Sequence, residues 1–187
     1  MLEINLPINE TKTFNNFSMK EKAPIVKINL RGKPNNKDFS SKVGKILGII
    51  LPAEVGSIAV KEEISIITTG PNEWLILSNN IIKESNKNYE LENTLFEGIS
   101  KTNLGAVTNA SDQFTIFSLN GSNIYEVLSK STPFDFDTLS NNRSAQTLLN
   151  NIDVTIIKKD NENVDLLVRR SFSEHLWGWI KDSDNLN

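Results

Sequence analysis

Ser171 and His175 lie four residues apart near the C-terminus, with acids close by at Glu174 and Asp182. Serine, histidine and a carboxylate are the residue types of a hydrolase that activates a serine nucleophile through a general base. Such a serine needs a strained elbow of the type G-x-S-x-G, or an acid held behind the histidine, and the sequence shows neither. Ser171 and Glu174 instead match a capping box at a helix start. We therefore predict structural roles for Ser171 and His175, and no catalytic residue in this chain.

The composition argues against several other kinds of site. The 187 residues include no cysteine and one histidine, which excludes thiolate metal sites and histidine clusters. Asp135 and Asp137 lack the spacing of a calcium loop and predict a turn, so no metal site is expected. Neither G-x-G-x-x-G nor G-x-x-x-x-G-K-[ST] occurs, and we expect no nucleotide cofactor bound to this chain. A formal net charge of −3 argues against a nucleic-acid-binding protein.

The sequence also predicts a location in the cytoplasm. No apolar run approaches the roughly 18 residues that a membrane-spanning helix needs. The first residues lack the basic region and apolar stretch of a signal peptide.

Hydrophobic periodicity indicates the elements that would position these residues. Val26, Ile28 and Leu30 alternate with polar residues, as in a half-buried strand. The predicted elements are a strand over 24–32, a helix from Phe39 capped by Asp38 and ended by Gly48, a hairpin over 64–77, a helix through Leu91, Leu95 and Ile99, a strand over 113–121, a helix over 122–130, strands over 152–157 and 164–169, and a final helix. Between the last two strands, Lys158 and Lys159 beside Asp160 predict a solvated hairpin tip.

This order contains strand, helix, hairpin and helix twice, and "NLRG" at 29–32 is echoed by "SLNG" at 118–121. The short echo suggests a duplication. Antiparallel hairpins that alternate with helices predict an α+β fold in which helices cover antiparallel sheets. We divide the chain into an N-terminal arm, 1–22, and a single domain, 23–187.

The final helix is predicted to be amphipathic. At about 100° per residue, Phe172, Leu176, Trp179 and Ile180 form one apolar stripe, and His175 falls on its edge. Trp177 falls outside this stripe, where it either packs under a neighbouring loop or meets another protein.

Five motifs, in this order, give the chain a specific resemblance. They are "LRG" at Leu30, "GPNEWLIL" at Gly70, "LNGSNIYEVLSKSTPFDF" at Leu119, "RSAQTLL" at Arg143 and "LLVRRSFSEHLWGWI" at Leu166. From about residue 24 onward the chain resembles the gamma subunit of heterotetrameric sarcosine oxidase. It departs from the family pattern at Asn72, where aspartate is common, and at Arg143 and Ser144, where glycine and cysteine are common.

The resemblance implies a fold similar to the folate-binding aminomethyltransferase (GcvT-like) fold. It also implies a complex that oxidises sarcosine to glycine, forms hydrogen peroxide and passes the one-carbon unit to tetrahydrofolate or releases it as formaldehyde. FAD, FMN, NAD and tetrahydrofolate are implied for the partner subunits, alpha, beta and delta, and this chain is expected to be a noncatalytic assembly subunit. Two alternatives stay open: a related oxidase for another N-methylated amine, and a stand-alone folate-binding one-carbon protein.

Because the resemblance implies partner subunits, it favours contact of Trp177 with another protein over packing under a neighbouring loop. We therefore predict a partner interface that contains Trp177, Arg169 and Arg170, since tryptophan and arginine are frequent anchors of interfaces.

Overall fold

The computed structural model describes residues 5–82 and 89–184, which form two compact units. Of these residues, those within Ala23–Ser111 make up the first unit, and those within Ile4–Lys22 and Asp112–Asn187 make up the second. The chain thus leaves the second unit after Lys22 and returns to it at Asp112. The assignment of 23–187 to a single domain stays a prediction.

Eleven strands and four α-helices are found in the described ranges. The strands are β1 (Thr11–Thr13), β2 (Phe17–Glu21), β3 (Ile25–Gly32), β4 (Ile58–Lys61), β5 (Ile64–Gly70), β6 (Glu73–Ile81), β7 (Gly105–Asn109), β8 (Phe114–Gly121), β9 (Arg143–Leu149), β10 (Ile152–Lys158) and β11 (Asn163–Arg169). The α-helices are α1 (Lys37–Leu47), α2 (Glu90–Leu95), α3 (Ile124–Ser129) and α4 (Ser173–Asp184). A π-helix, Phe96–Ser100, continues α2. No helix in these ranges is long and apolar enough to span a membrane.

The first unit is a five-stranded antiparallel sheet in the order β4-β5-β6-β3-β7, with α1 and α2 packed on one face. The alternation along β3 places Val26, Ile28 and Leu30 in the core, as the sequence predicted. They pack with buried residues of the helices, such as Phe39 of α1 and Ile99 of the π-helix.

Helix α1 begins and ends at residues that satisfy its backbone. The side chain of Asn36 accepts hydrogen bonds from the backbone N–H groups of Asp38 and Phe39, at 2.9 and 3.3 Å, so the predicted cap at Asp38 is wrong. The predicted end at Gly48 is confirmed, because Gly48 is left-handed with φ 66°.

The second unit is a six-stranded antiparallel sheet in the order β1-β2-β8-β11-β10-β9, with α3 and α4 on one face. Its strand β2 comes from the N-terminal segment, and Phe17 and Met19 of this strand are buried in the core. Residues 11–21 are therefore part of a sheet, although no strand was predicted there.

The two units share one topology. In the first unit the chain runs β3, α1, β5, β6, α2 and β7, and the strand order β5-β6-β3-β7 is that of the ferredoxin-like βαββαβ motif. In the second unit β10-β11-β8-β2 is the same order, and β2 occupies the place of the strand that would follow α4. The echo between residues 29–32 and 118–121 falls at the ends of the equivalent strands β3 and β8.

The predicted fold is wrong. The chain forms two antiparallel sheets with four α-helices among the described residues, each sheet having the ferredoxin-like order, rather than the folate-binding aminomethyltransferase fold. Periodicity indicates where strands and helices lie, but it does not specify which strands pair. The N-terminal strands were also absent from the predicted order.

The hairpin tip between β10 and β11 is less solvated than predicted. Lys158 is buried, and its Nζ lies 4.7 Å from the centroid of the Tyr125 ring. The Tyr125 hydroxyl donates to the backbone oxygen of Asp160 at 2.8 Å. Burial, and next the negative charge of Asp160, raise the pKa of Tyr125 to about 12.

Substitution of Gly121 tests the close approach of β2 to β8. Gly121 has φ 145°, and an added Cβ would lie 2.2 Å from the backbone oxygen of Asn16. Gly121→Ala should lower the free energy of unfolding by about 2 to 3 kcal/mol, from backbone strain and displacement of β2. Urea denaturation measures this change. In the matched control Gly178→Ala, the added Cβ would have no atom within 4 Å beyond its chain neighbours and the backbone of its own helix, and the gain in helix propensity should raise stability by about 0.5 to 1 kcal/mol. Equal stability of the two variants would contradict the close approach of β2 to β8 at Gly121.

Tyr125 should titrate late in the folded protein. Its folded pKa exceeds the unfolded value of 10.0, so its contribution to stability is present below pH 10 and is lost as the pH rises toward 12. The chain has two tyrosines, so ultraviolet phenolate titration can separate them. Tyr125→Phe should remove the component near pH 12, and Tyr89→Phe should leave it. If the phenolate component near pH 12 persists in Tyr125→Phe, the raised pKa does not belong to Tyr125.

Candidate docking surface at the C-terminal helix

The C-terminal stretch turns from a strand into a helix within four residues. Strand β11 ends at Arg169, a 3-10 turn covers Arg170–Phe172, and α4 begins at Ser173. The Ser173 hydroxyl donates to the backbone oxygen of Arg170 at 2.7 Å, which ties the start of the helix to the turn. The predicted capping box is wrong, because Ser171 lies inside the 3-10 turn and the cap position falls on Arg169, which makes no side-chain cap bond.

His175 does not pair with Ser171. Both side chains are exposed, and Nε2 of His175 lies 3.3 Å from Nδ2 of Asn150 in the turn between β9 and β10. The serine and the histidine therefore do not form a pair of nucleophile and general base in this structure.

Trp177 lies in the core, and the prediction that it faces outward is wrong. It is 4% exposed, and its ring meets the ring of Phe117 edge-on, with centroids 5.3 Å apart. Its indole N–H is buried without a hydrogen-bond partner. Phe172, predicted to lie on the inner stripe, is 48% exposed, and Trp179 is only partly buried.

Two serines explain why the buried face of α4 was misassigned. The buried residues are Ser173, Leu176, Trp177, Ile180 and Ser183, a helical spacing of three and four. The Ser183 hydroxyl donates to the backbone oxygen of Trp179 at 2.9 Å, and Ser173 is satisfied in the same way by Arg170. Both hydroxyls are satisfied within the helix and its preceding turn, so the serines can be buried at low cost. A hydrophobic pattern cannot reveal them.

The two arginines have different environments. The backbone N–H of Arg170 donates to the oxygen of Gln113 at 2.9 Å, and its guanidinium donates to the backbone oxygen of Asn5, so Arg170 holds the N-terminal segment. Arg169 is exposed. Their roles in a partner interface stay predictions, whereas the burial of Trp177 leaves almost none of its ring for a partner to contact.

An open cleft of about 610 Å³ lies beside this segment, and its lining includes Asp112, Gln113, Arg170, Ser171 and Glu174. These side chains are polar, and none is joined to His175. The cleft is a polar surface feature of the second unit, and it contains no recognisable catalytic pair.

Carboxylates elsewhere in the second unit have structural partners. The Asp135 side chain accepts from the N–H of Asp137 at 3.0 Å, which confirms the predicted turn. The buried carboxylate of Asp165 accepts from Lys22 and Lys159 at 2.7 and 2.9 Å. Burial lowers the pKa of Lys22, and the negative charge of Asp165 opposes this shift. In the described ranges, no three potential metal-ligating side chains come together.

Substitution of the two tryptophans of α4 tests the corrected orientation. Trp177→Ala should lower the free energy of unfolding by about 3 to 5 kcal/mol, because it removes a buried ring from the core. Trp179→Ala should cause a smaller loss, since part of its ring is already in water. Urea denaturation of both variants measures the difference. A larger loss for Trp179→Ala would show that the helix faces the other way.

The sequence matches one family over most of its length. The model of the "Sarcosine oxidase, gamma subunit family" matches residues 31–185. The chain is 28% identical over 169 residues to the sarcosine oxidase subunit gamma of Corynebacterium sp. (strain U-96), a match that covers 89% of this chain and 78% of that protein.

Solved structures agree with this assignment. Heterotetrameric sarcosine oxidase from Corynebacterium sp. U-96, in complex with pyrrole 2-carboxylate, contains a chain that matches with a TM-score of 0.80 and 26% identity, covering 96% of this chain and 89% of that one. A structure of aspartokinase alpha and beta subunits matches with a TM-score of 0.52 and 14% identity, covering 90% of this chain and 97% of that one, and shows likeness of fold alone. These matches place the fold with the sarcosine oxidase chain, and they overturn the predicted likeness to the folate-binding aminomethyltransferases. The resemblance seen in the sequence motifs is confirmed, and the chain belongs to the sarcosine oxidase gamma subunit family.

Proposed function

We propose that this chain is the noncatalytic gamma subunit of a heterotetrameric sarcosine oxidase, in which it assembles with alpha, beta and delta subunits. The observation that carries the proposal is the family match over residues 31–185, joined to a TM-score of 0.80 against a chain of such a heterotetramer. That structural match covers 96% of this chain.

In the proposed complex, sarcosine is oxidatively demethylated to glycine, and oxygen is reduced to hydrogen peroxide. The one-carbon unit passes to tetrahydrofolate or leaves as formaldehyde. FAD, FMN, NAD and tetrahydrofolate are assigned to the partner subunits, and no residue of this chain is assigned to them. A cytoplasmic location belongs to the same proposal.

The environments of the side chains that could take part in catalysis support a noncatalytic role for this chain. Ser171 and His175 form no hydrogen bond with each other, and the carboxylates of Asp135 and Asp165 are engaged in a turn and in ion pairs. The alternative of a stand-alone folate-binding protein loses its support with the predicted fold. Partner subunits would set the choice of amine, so the same role suits an oxidase of another N-methylated amine.

Co-expression tests the proposal. The chain, produced with the alpha, beta and delta subunits of its own source, should co-elute with them in size-exclusion chromatography, and the complex should be yellow and produce peroxide from sarcosine. The chain alone should be colourless. Failure to co-elute, or stoichiometric flavin or NAD retained by the isolated chain, would refute the proposal.

Variants of the assembled complex separate a structural from a catalytic role. Ser171→Ala and His175→Ala should leave turnover nearly unchanged, because both side chains are exposed and form no pair with each other. Loss of turnover in a complex that assembles and keeps its flavin would establish a catalytic role for this stretch.

A further inference from the structure

We propose that the face of α2 carrying Tyr89 and Phe96 docks against a partner subunit, into an apolar pocket rimmed by basic side chains. This inference rests on the proposed function, because the partner is another subunit of the oxidase. It places a docking surface on the first unit, whereas the predicted interface residues Trp177, Arg169 and Arg170 belong to the second unit.

Two large aromatic side chains are exposed on this face. Tyr89, the residue that precedes α2, is 56% exposed, and Phe96, the residue that follows it, is 43% exposed. They are seven residues apart, about two helical turns, which places them on the same side of the helix. Scattered single apolar residues are normal on a protein surface, but aligned aromatics are typical of interfaces.

The backbone holds Phe96 outward. Phe96 begins a π-helix that ends at Ser100, and such turns are rare and concentrate at functional sites. Leu95, which precedes the π-helix, and Ile99, within it, are buried in the core and anchor the segment. Ser100 Oγ accepts from the N–H of Val107 at 3.0 Å, which fixes the π-helix to β7.

Close packing beneath the π-helix gives it further support. A Cβ added at Gly98 would lie 2.8 Å from Cδ1 of Ile46 in α1, so glycine permits the observed contact between the two helices. Phe96 is therefore presented on a constrained scaffold, and little conformational freedom is lost when it enters a pocket.

The charges around the aromatic pair define the chemistry of the partner. Glu90, Glu92 and Glu97 lie on the described segment 89–101, whose one cation, Lys101, pairs with Glu97 at 2.6 Å. Within residues 89–101, three carboxylates and one ammonium leave a net charge of −2. Lysine or arginine at the rim of the partner's pocket would complement this surface.

A second copy of this chain is the competing occupant, because α1 carries Lys37, Lys42 and Lys45. The apolar residues of α1, however, face the core of their own unit: Phe39, Val43 and Leu47 are all buried. Helix α1 thus offers positive charge without an apolar pocket for Phe96. A heterologous subunit, which the family assignment implies, is therefore the proposed occupant.

The test uses the full chain and the remaining subunits of the oxidase. Phe96→Ser should weaken binding about 30-fold, the equivalent of about 2 kcal/mol, as expected for an interface hot spot, while the isolated variant stays folded. Glu90→Lys should slow association, most strongly at low salt. Leu148→Ser is the matched control, because Leu148 is similarly exposed, at 46%, but lies on β9 of the second unit, and this variant should bind like the wild type.

The outcomes are distinguishable. Absence of binding by the wild-type chain would overturn the proposed function, and this inference with it. Wild-type binding together with equal binding by Phe96→Ser would overturn the inference alone. Self-association of the isolated chain that Phe96→Ser abolishes would identify a second copy as the occupant and would also overturn it.

Discussion

The second unit depends on the backbone hydrogen bonds that join β2 to β8. Five residue pairs, from Phe17 opposite Gly121 to Glu21 opposite Phe117, make this ladder. Strand β8 is paired on its other side with β11, so β2 converts an edge strand into an interior one. The same pairing brings Phe17 and Met19 into the core. Apolar burial and backbone hydrogen bonding therefore act together at one junction.

Hydrogen bonds to Glu21 and Arg170 hold the residues that precede β1 to this unit. The Glu21 carboxylate accepts from the backbone N–H groups of Ile8 and Asn9 at 2.9 and 3.1 Å. Arg170 donates to the backbone oxygen of Asn5. The sharp turn from β11 into α4 thus also positions the segment that precedes β1.

Local patterns predicted the elements better than the fold. Strand β3 and the end of α1 at Gly48 follow from alternation and from glycine chemistry, which are properties of neighbouring residues. The order of strands depends on pairs distant in sequence, such as Phe17 with Gly121, and periodicity carries no information on them. In α4, buried serines that bond to nearby carbonyls hid the true core face. The exposed Phe96 was equally hidden, because Leu91, Leu95 and Ile99 fit an ordinary helix. Ordered motifs identified the family, whereas helical periodicity placed Trp177 on the wrong side of α4.

The division of the second unit between the two ends of the chain sets an order for folding during synthesis. Residues 23–111, which include every strand of the first sheet, leave the ribosome as one continuous segment and can fold as soon as they emerge. Residues 5–22 emerge earlier, but their partner β8 begins only at Phe114, and α4 ends the unit near the C-terminus. The aromatic rings of Phe14 and Phe17 and the side chain of Met19 must therefore stay in water while most of the chain is made. During that interval the nascent chain carries an unpaired, apolar strand, which is the type of segment that chaperones bind and that aggregates when synthesis stalls.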